Sequence, residues 1–169
     1  SVHVNDTDMD VVVGAAGLRH SLDRRFAVNA PVTLQAGAIL QNSIQINELT
    51  PKHSNAQSSY VLIGAAKSDN GQLYIIRSVV NRFSRELTEM DVLYAFNAKT
   101  EPDLGIKKET GRETIPNGPQ PKAATITGST ISIADLLDLV NQYFPDILPE
   151  DVLKHYGYDA RPEGDLGAD

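Results

Sequence analysis

Gly17-Leu18-Arg19-His20-Ser21-Leu22-Asp23-Arg24-Arg25 is the stretch around which the chain is organised. Leu18, Leu22 and then Phe26 recur four apart, which predicts a helix over about 15–26 with a single apolar stripe. His20 and Arg24 are also four apart and share a different face. Arg19 and Asp23 make a further pair at the same spacing. One side of such a helix can pack on a sheet while the other presents His20, Arg24 and Arg25. Three arginines and a histidine in nine residues stand out in a chain with a formal net charge of −7.

On the N-terminal side, Val2 and Val4 alternate with polar residues, and Val11-Val12-Val13 is a β-branched run before Gly14. One or two short strands are expected there. Asp6, Asp8 and Asp10 lie between them without the glycine and distal glutamate of a calcium loop, so they read as a solvated turn. On the C-terminal side, Asn29-Ala30-Pro31 starts a second helix, since Asn caps and Pro suits the first turn. Val32, Ala36, Ile39 and Leu40 carry its period. Ser43 to Asn47 alternates like a strand, and the polar stretch 50–58 reads as a loop.

A hairpin follows. Tyr60 to Ala66 is β-prone, Ser68-Asp69-Asn70-Gly71 is turn chemistry, and Leu73 to Val80 is the return strand. Residues 81–91 read as a short helix or loop, and Val92 to Ala98 as another strand. Strands this close in sequence pair most economically antiparallel. The fold class is therefore α+β: N-terminal helices on an antiparallel sheet of about four to five strands. That core occupies 1–100. The proline- and glycine-rich segment 101–128 is a linker or mobile loop. Residues 129–169 form a C-terminal helical segment with a frayed tail, its apolar stripe made by Ile133, Leu136, Leu137 and Val140. This pair of helices either docks on the core or serves as a junction in a longer polyprotein.

Composition bounds the function. A hydrophobic fraction of 41% supports a core, and an aromatic fraction of 6% without tryptophan makes that core mostly aliphatic. The absence of cysteine excludes disulfides, thiolate metal sites and cysteine nucleophiles. An acidic chain has no general attraction to nucleic acid, so any such contact needs a local basic patch. No apolar run reaches the length of a membrane span, and the first residues have no signal-peptide pattern. Neither a metal-ligand spacing nor a nucleotide-binding glycine motif is present, so no metal or cofactor is expected.

Several segments carry a resemblance. Gly17-Leu18-Arg19-His20-Ser21-Leu22, Asn29-Ala30-Pro31-Val32, Ser78-Val79-Val80-Asn81-Arg82-Phe83, Met90-Asp91-Val92-Leu93-Tyr94-Ala95 and Tyr143-Phe144-Pro145-Asp146-Ile147-Leu148-Pro149 resemble domains of large polyvalent proteins of phages and conjugative elements of gut Firmicutes. The likeness covers most of the chain. A looser one is to the phage branch of the barnase, EndoU, colicin and RelE-like nucleases, on the order of elements and a helix histidine beside basic residues. These resemblances imply a bacterial-host cytoplasm as the location, as part of a longer polyprotein. They also imply RNA, or an immunity or other protein, as partner.

Metal-independent RNA cleavage needs a base, an acid and cations for the phosphate. Histidine suits the first two because it titrates near neutrality. His20 is the first catalytic candidate and His53, in the polar loop, the second. Each also reads, and more readily, as an ordinary surface histidine. Arg19, Arg24, Arg77 and Arg82 are candidate phosphate contacts, and Tyr94 could stack on a base. The expected function is a metal-independent RNase-like domain of a phage or mobile element. The competing expectation is a non-catalytic accessory domain that binds a protein partner.

Overall fold

The computed structural model describes residues 1–23, 32–33, 35–68, 71–101, 104, 126–127 and 133–157. The path of the sheet is β1 (Val2–Val4), β2 (Met9–Val12), β6 (Thr88–Asn97), β5 (Leu73–Arg82), β4 (Ser58–Ser68) and β3 (Ile44–Leu49), with the two-residue β7 (Ile126–Thr127) on β4. Helices α1 (Ala15–Leu22) and α2 (Ala36–Gln41) stand between β2 and β3, and α3 (Ile133–Tyr143) and α4 (Glu150–His155) follow the sheet. The class is α+β.

Two details depart from the expected sheet. Strands β3 to β6 form an antiparallel meander, but β2 joins β6 in parallel through Val11–Thr88 and Val12–Glu89. The sheet is thus mixed and longer than four to five strands. Residues 81–91 hold no helix. β5 runs on to Arg82, a turn closes with Phe83 N–H donating to Leu87 O, and β6 begins at Thr88. This segment is polar because the hairpin tip is wet, which sequence polarity cannot distinguish from a helix surface or loop.

Each face of the sheet carries its own core, because side chains alternate along a strand. Leu62, Ile76, Val80 and Leu93 meet Val32, Ala36, Ile39 and Leu40 of the N-terminal helical layer. Ile63, Ile75, Val79, Val92 and Phe96 meet Leu136, Leu137, Val140 and Phe144. The expected stripe on α3 is therefore buried, with Ile133 packed at its margin. α3 stops where Pro145 would break the helical hydrogen bonding, and Gly157, at φ +80°, follows the end of α4.

The helix of the opening motif packs differently from its leucine periodicity. Its buried residues are Gly17 and Ser21, while Leu18 and Leu22 are half-buried. Phe26, Arg24 and Arg25 lie outside the described residues, as do Asn29 to Pro31 and the turn pair Asp69-Asn70. α1 runs beside β6 beyond the point where β2 ends. There Ser21 Oγ accepts the Leu93 N–H at 3.0 Å and donates to Gly17 O at 2.8 Å. A strand edge must satisfy its outward N–H groups, and here a helix hydroxyl replaces the missing strand.

The sheet curls until its two edges meet. Asn5 N–H donates to Gln41 O at 3.0 Å, and Gln45 N–H of β3 donates to Asp6 Oδ2 at 3.4 Å. Asp6 thus serves the free edge of β3. Burial raises its carboxyl above the ordinary value of 3.8, offset in part by the Gln45 N–H and by His155. A raised acid favours the fold in its protonated form. That contribution is full below 3.8 and is lost as pH rises through the folded-state value. Asp6→Asn keeps the acceptor without the charge. It is expected to raise stability at neutral pH by about 0.5 kcal/mol, and the gain over wild type should shrink on acidification. Urea midpoints at neutral pH and near the ordinary carboxyl value check this. An advantage that grows in acid would contradict it.

Candidate functional site

The site builds from an irregularity in β6. The pairing with β5 steps from Val79–Val92 to Val80–Met90, which leaves Asp91 as the extra residue of a β-bulge. Bulges re-aim side chains and recur near functional sites. Asp91 Oδ1 lies 3.2 Å from His20 Nδ1 on α1, with both side chains partly exposed. A carboxylate can only accept, so the tautomer that makes this bond is the one with the proton on Nδ1, which leaves the Nε2 lone pair free of it. Gly17 makes this meeting possible, since α1 can approach the Met90 backbone only without a Cβ there.

Asp91 also lines a hollow of about 10 Å³, room for a single water, together with Leu49, Thr50, Lys52, Ser59, Val79 and Asn81. Buried Ser59 donates from Oγ to Asn81 Oδ1 at 2.6 Å. A polar row therefore crosses β4, β5 and β6 at the end of the sheet nearest Lys52. An imidazole held by a carboxylate can move a proton, and an ammonium can stabilise an oxyanion. Among the described residues no group of three His, Cys, Asp or Glu side chains could hold a metal ion.

The expected site residues do not converge on one surface. His20 and Arg19 are exposed on α1. His53 sits in the loop before β4, accepts the Asn55 N–H and packs edge-on against Phe83 with centroids 5.0 Å apart. Arg82 reaches Thr88 Oγ1 at 3.5 Å and lies 6.0 Å from the Tyr60 ring centroid. Arg77 is 1% exposed and Tyr94 2% exposed. The Arg77 guanidinium sits 5.0 Å from the Tyr94 centroid and 5.8 Å from that of Phe96. It projects from the sheet as a strand cation does, but into the layer that α3 covers. Arg24 lies outside the described residues.

Sequence reading missed Asp91, Lys52 and Ser59 as members of a site. Asp91 carried one usable signal: it is an acid between Met90 and Val92, directly before the apolar run Val92 to Phe96. The partnership with His20 spans 71 residues and has no local spacing to betray it.

Comparison of the chain with protein-family models, with curated proteins and with solved structures finds no match. Among the described residues no helix is long and apolar enough to cross a membrane.

Proposed function

We propose that this chain is a metal-independent RNase-like domain of a phage or mobile-element polyvalent protein. The observation that supports this best is the His20–Asp91 pair at the β6 bulge. In this reading His20 Nε2 takes the proton of the 2′-hydroxyl as its oxygen bonds to phosphorus, the P–O5′ bond breaks with water protonating the leaving 5′-oxygen, and Asp91 orients the ring. Lys52, on the wall shared with Asp91, offsets charge on the phosphate. Arg19 on α1 adds a second cation, whereas buried Arg77 and Tyr94 support the sheet beneath.

Cleavage of a total RNA pool in EDTA tests the reading. The wild-type protein is expected to cut. His20→Ala should lose about 10²-fold or more, the usual scale of a general base. Asp91→Asn should lose less, with a changed pH profile, because it loosens the ring without removing it. Equal cleavage by wild type and His20→Ala would place the activity elsewhere. No cleavage across pH and salt would favour the accessory, protein-binding reading. The burial of Arg77 and Tyr94 under α3 withdraws two of the expected RNA contacts, which weighs toward that second reading.

A further inference from the structure

We propose that the hollow crossing β4, β5 and β6 seats the water that protonates the leaving 5′-oxygen, and that Asn81 is the residue that positions it. The inference rests on the RNase reading and names its acid, since His53 packs on Phe83 instead. The hollow has a buried floor and an exposed rim. Ser59, Val79 and Asn81 are buried, Thr50 and Lys52 are exposed, and Asp91 lies between. A substrate oxygen can therefore come to the rim of a space that holds one water.

Asn81 points to an occupant. It is 6% exposed, and its Oδ1 accepts the Ser59 hydroxyl at 2.6 Å, which leaves the NH₂ on the other side of the carboxamide. Among the described residues that NH₂ donates to no protein group, and it is not sealed from solvent. Buried amides are normally bonded, and an exception calls for an explanation. Glu89, the neighbour of Asn81 across the pairing with β6, is exposed and does not line the hollow.

The lining selects water over an anion. The Asn81 NH₂ and the Lys52 ammonium only donate, whereas the Asp91 carboxylate only accepts. A phosphate oxygen has no proton for Asp91 and is repelled by it. Water accepts from Asn81 and Lys52 and donates to Asp91, the two to four partners usual for a buried water. Lys52 favours the hydroxide that remains when this water gives up a proton. Asp91 opposes that until His20, 3.2 Å from it, becomes imidazolium. The base thus readies the acid. The 2′-oxygen bonds to phosphorus as its proton passes to His20 Nε2. The P–O5′ bond breaks with its electron pair on O5′, and the water proton caps that oxygen. The hydroxide then takes the imidazolium proton through solvent, which restores both groups.

The test compares an RNA oligonucleotide, cut by the wild-type chain at a mapped linkage, with its analogue carrying sulfur in place of O5′ at that linkage. A thiolate leaves without a proton, because thiols ionise near a pKa of about 8.5. Ser59→Ala/Asn81→Leu removes both hydrogen-bonding partners and leaves no orphan, so it should keep the wild-type urea midpoint. It is expected to cut the oxygen substrate about tenfold more slowly, since bulk water is a less well placed acid, and the sulfur substrate within about twofold of wild type. His20→Ala should be slow on both, because the base is still needed. A crystal structure of the wild-type chain should show an ordered water within hydrogen-bond distance of Asn81 Nδ2. A hollow without that water, or a double variant that loses both substrates alike or neither, overturns the proposal while the His20 effect leaves the RNase reading standing. A wild-type chain that cuts neither substrate overturns both.

Discussion

Gly17→Ala is expected to cost about 3 kcal/mol or more, the upper range for forcing atoms into a packed interior. A Cβ at Gly17 would collide with the Met90 carbonyl oxygen and lie 3.1 Å from its carbonyl carbon. Neither atom can retreat easily, because Met90 belongs to β6 and is registered against Val80 of β5. The helix would have to back away instead. Its Ser21 hydroxyl would then lose the Leu93 N–H, and His20 would leave Asp91. Gly14→Ala is the control: a Cβ there meets nothing within 4 Å, and its φ of −95° suits any residue. That variant should stay within about 0.5 kcal/mol of wild type. Denaturant midpoints at constant slope give the comparison. A Gly17→Ala protein as stable as Gly14→Ala would mean that α1 does not lie against β6 in this way.

Phe144→Ala carries the second large effect, a loss of about 3–5 kcal/mol as for other buried phenylalanines. Phe144 is 2% exposed, follows the last turn of α3, and donates its N–H to Val140 O at 2.7 Å. It shares a cluster with Tyr94, Phe96, Leu137 and Leu148, so its removal opens a cavity between α3 and the sheet. The same layer holds the Arg77 guanidinium against aromatic rings, an arrangement that depends on exclusion of water. Undocking should show as faster proteolysis near 133–157 and as a lower midpoint. Gln142→Ala, on the exposed side of α3, is the control. If Phe144→Ala behaved like Gln142→Ala, the second face of the sheet would not be a core.

Most of the element order was legible in the sequence, because it rests on short-range periods. Val32, Ala36, Ile39 and Leu40 were marked as a core stripe and are buried. The hairpin from Tyr60 to Val80 announced itself by β-branched runs around a turn that includes Gly71, whose φ is +83°. Leu136, Leu137 and Val140 announced α3 in the same way. The leucine spacing in α1 misled on which face is buried. A helix laid along a strand edge selects small residues at the contact, and Gly17 and Ser21 carry no hydrophobic signal.

The candidate site was legible only in its histidine. His20 drew attention because a basic helix is unusual in an acidic chain, but its partner comes from a bulge whose register no local pattern fixes. Arg77 shows the converse. Its position on a strand suggested an exposed cation, and only the docking of α3 decides that it is buried.

By itself, then, the sequence determined the apolar stripes of the helices and the strands of the meander, since each follows from neighbours a few residues apart. The tertiary structure alone decided that β2 pairs with β6 in parallel, that α1 replaces a strand beside Asp91, and that the sheet's edges meet at Asp6. Those contacts join residues tens of positions apart. They are selected by close packing and by the need to satisfy edge backbone groups, and neither leaves a periodic trace in the chain.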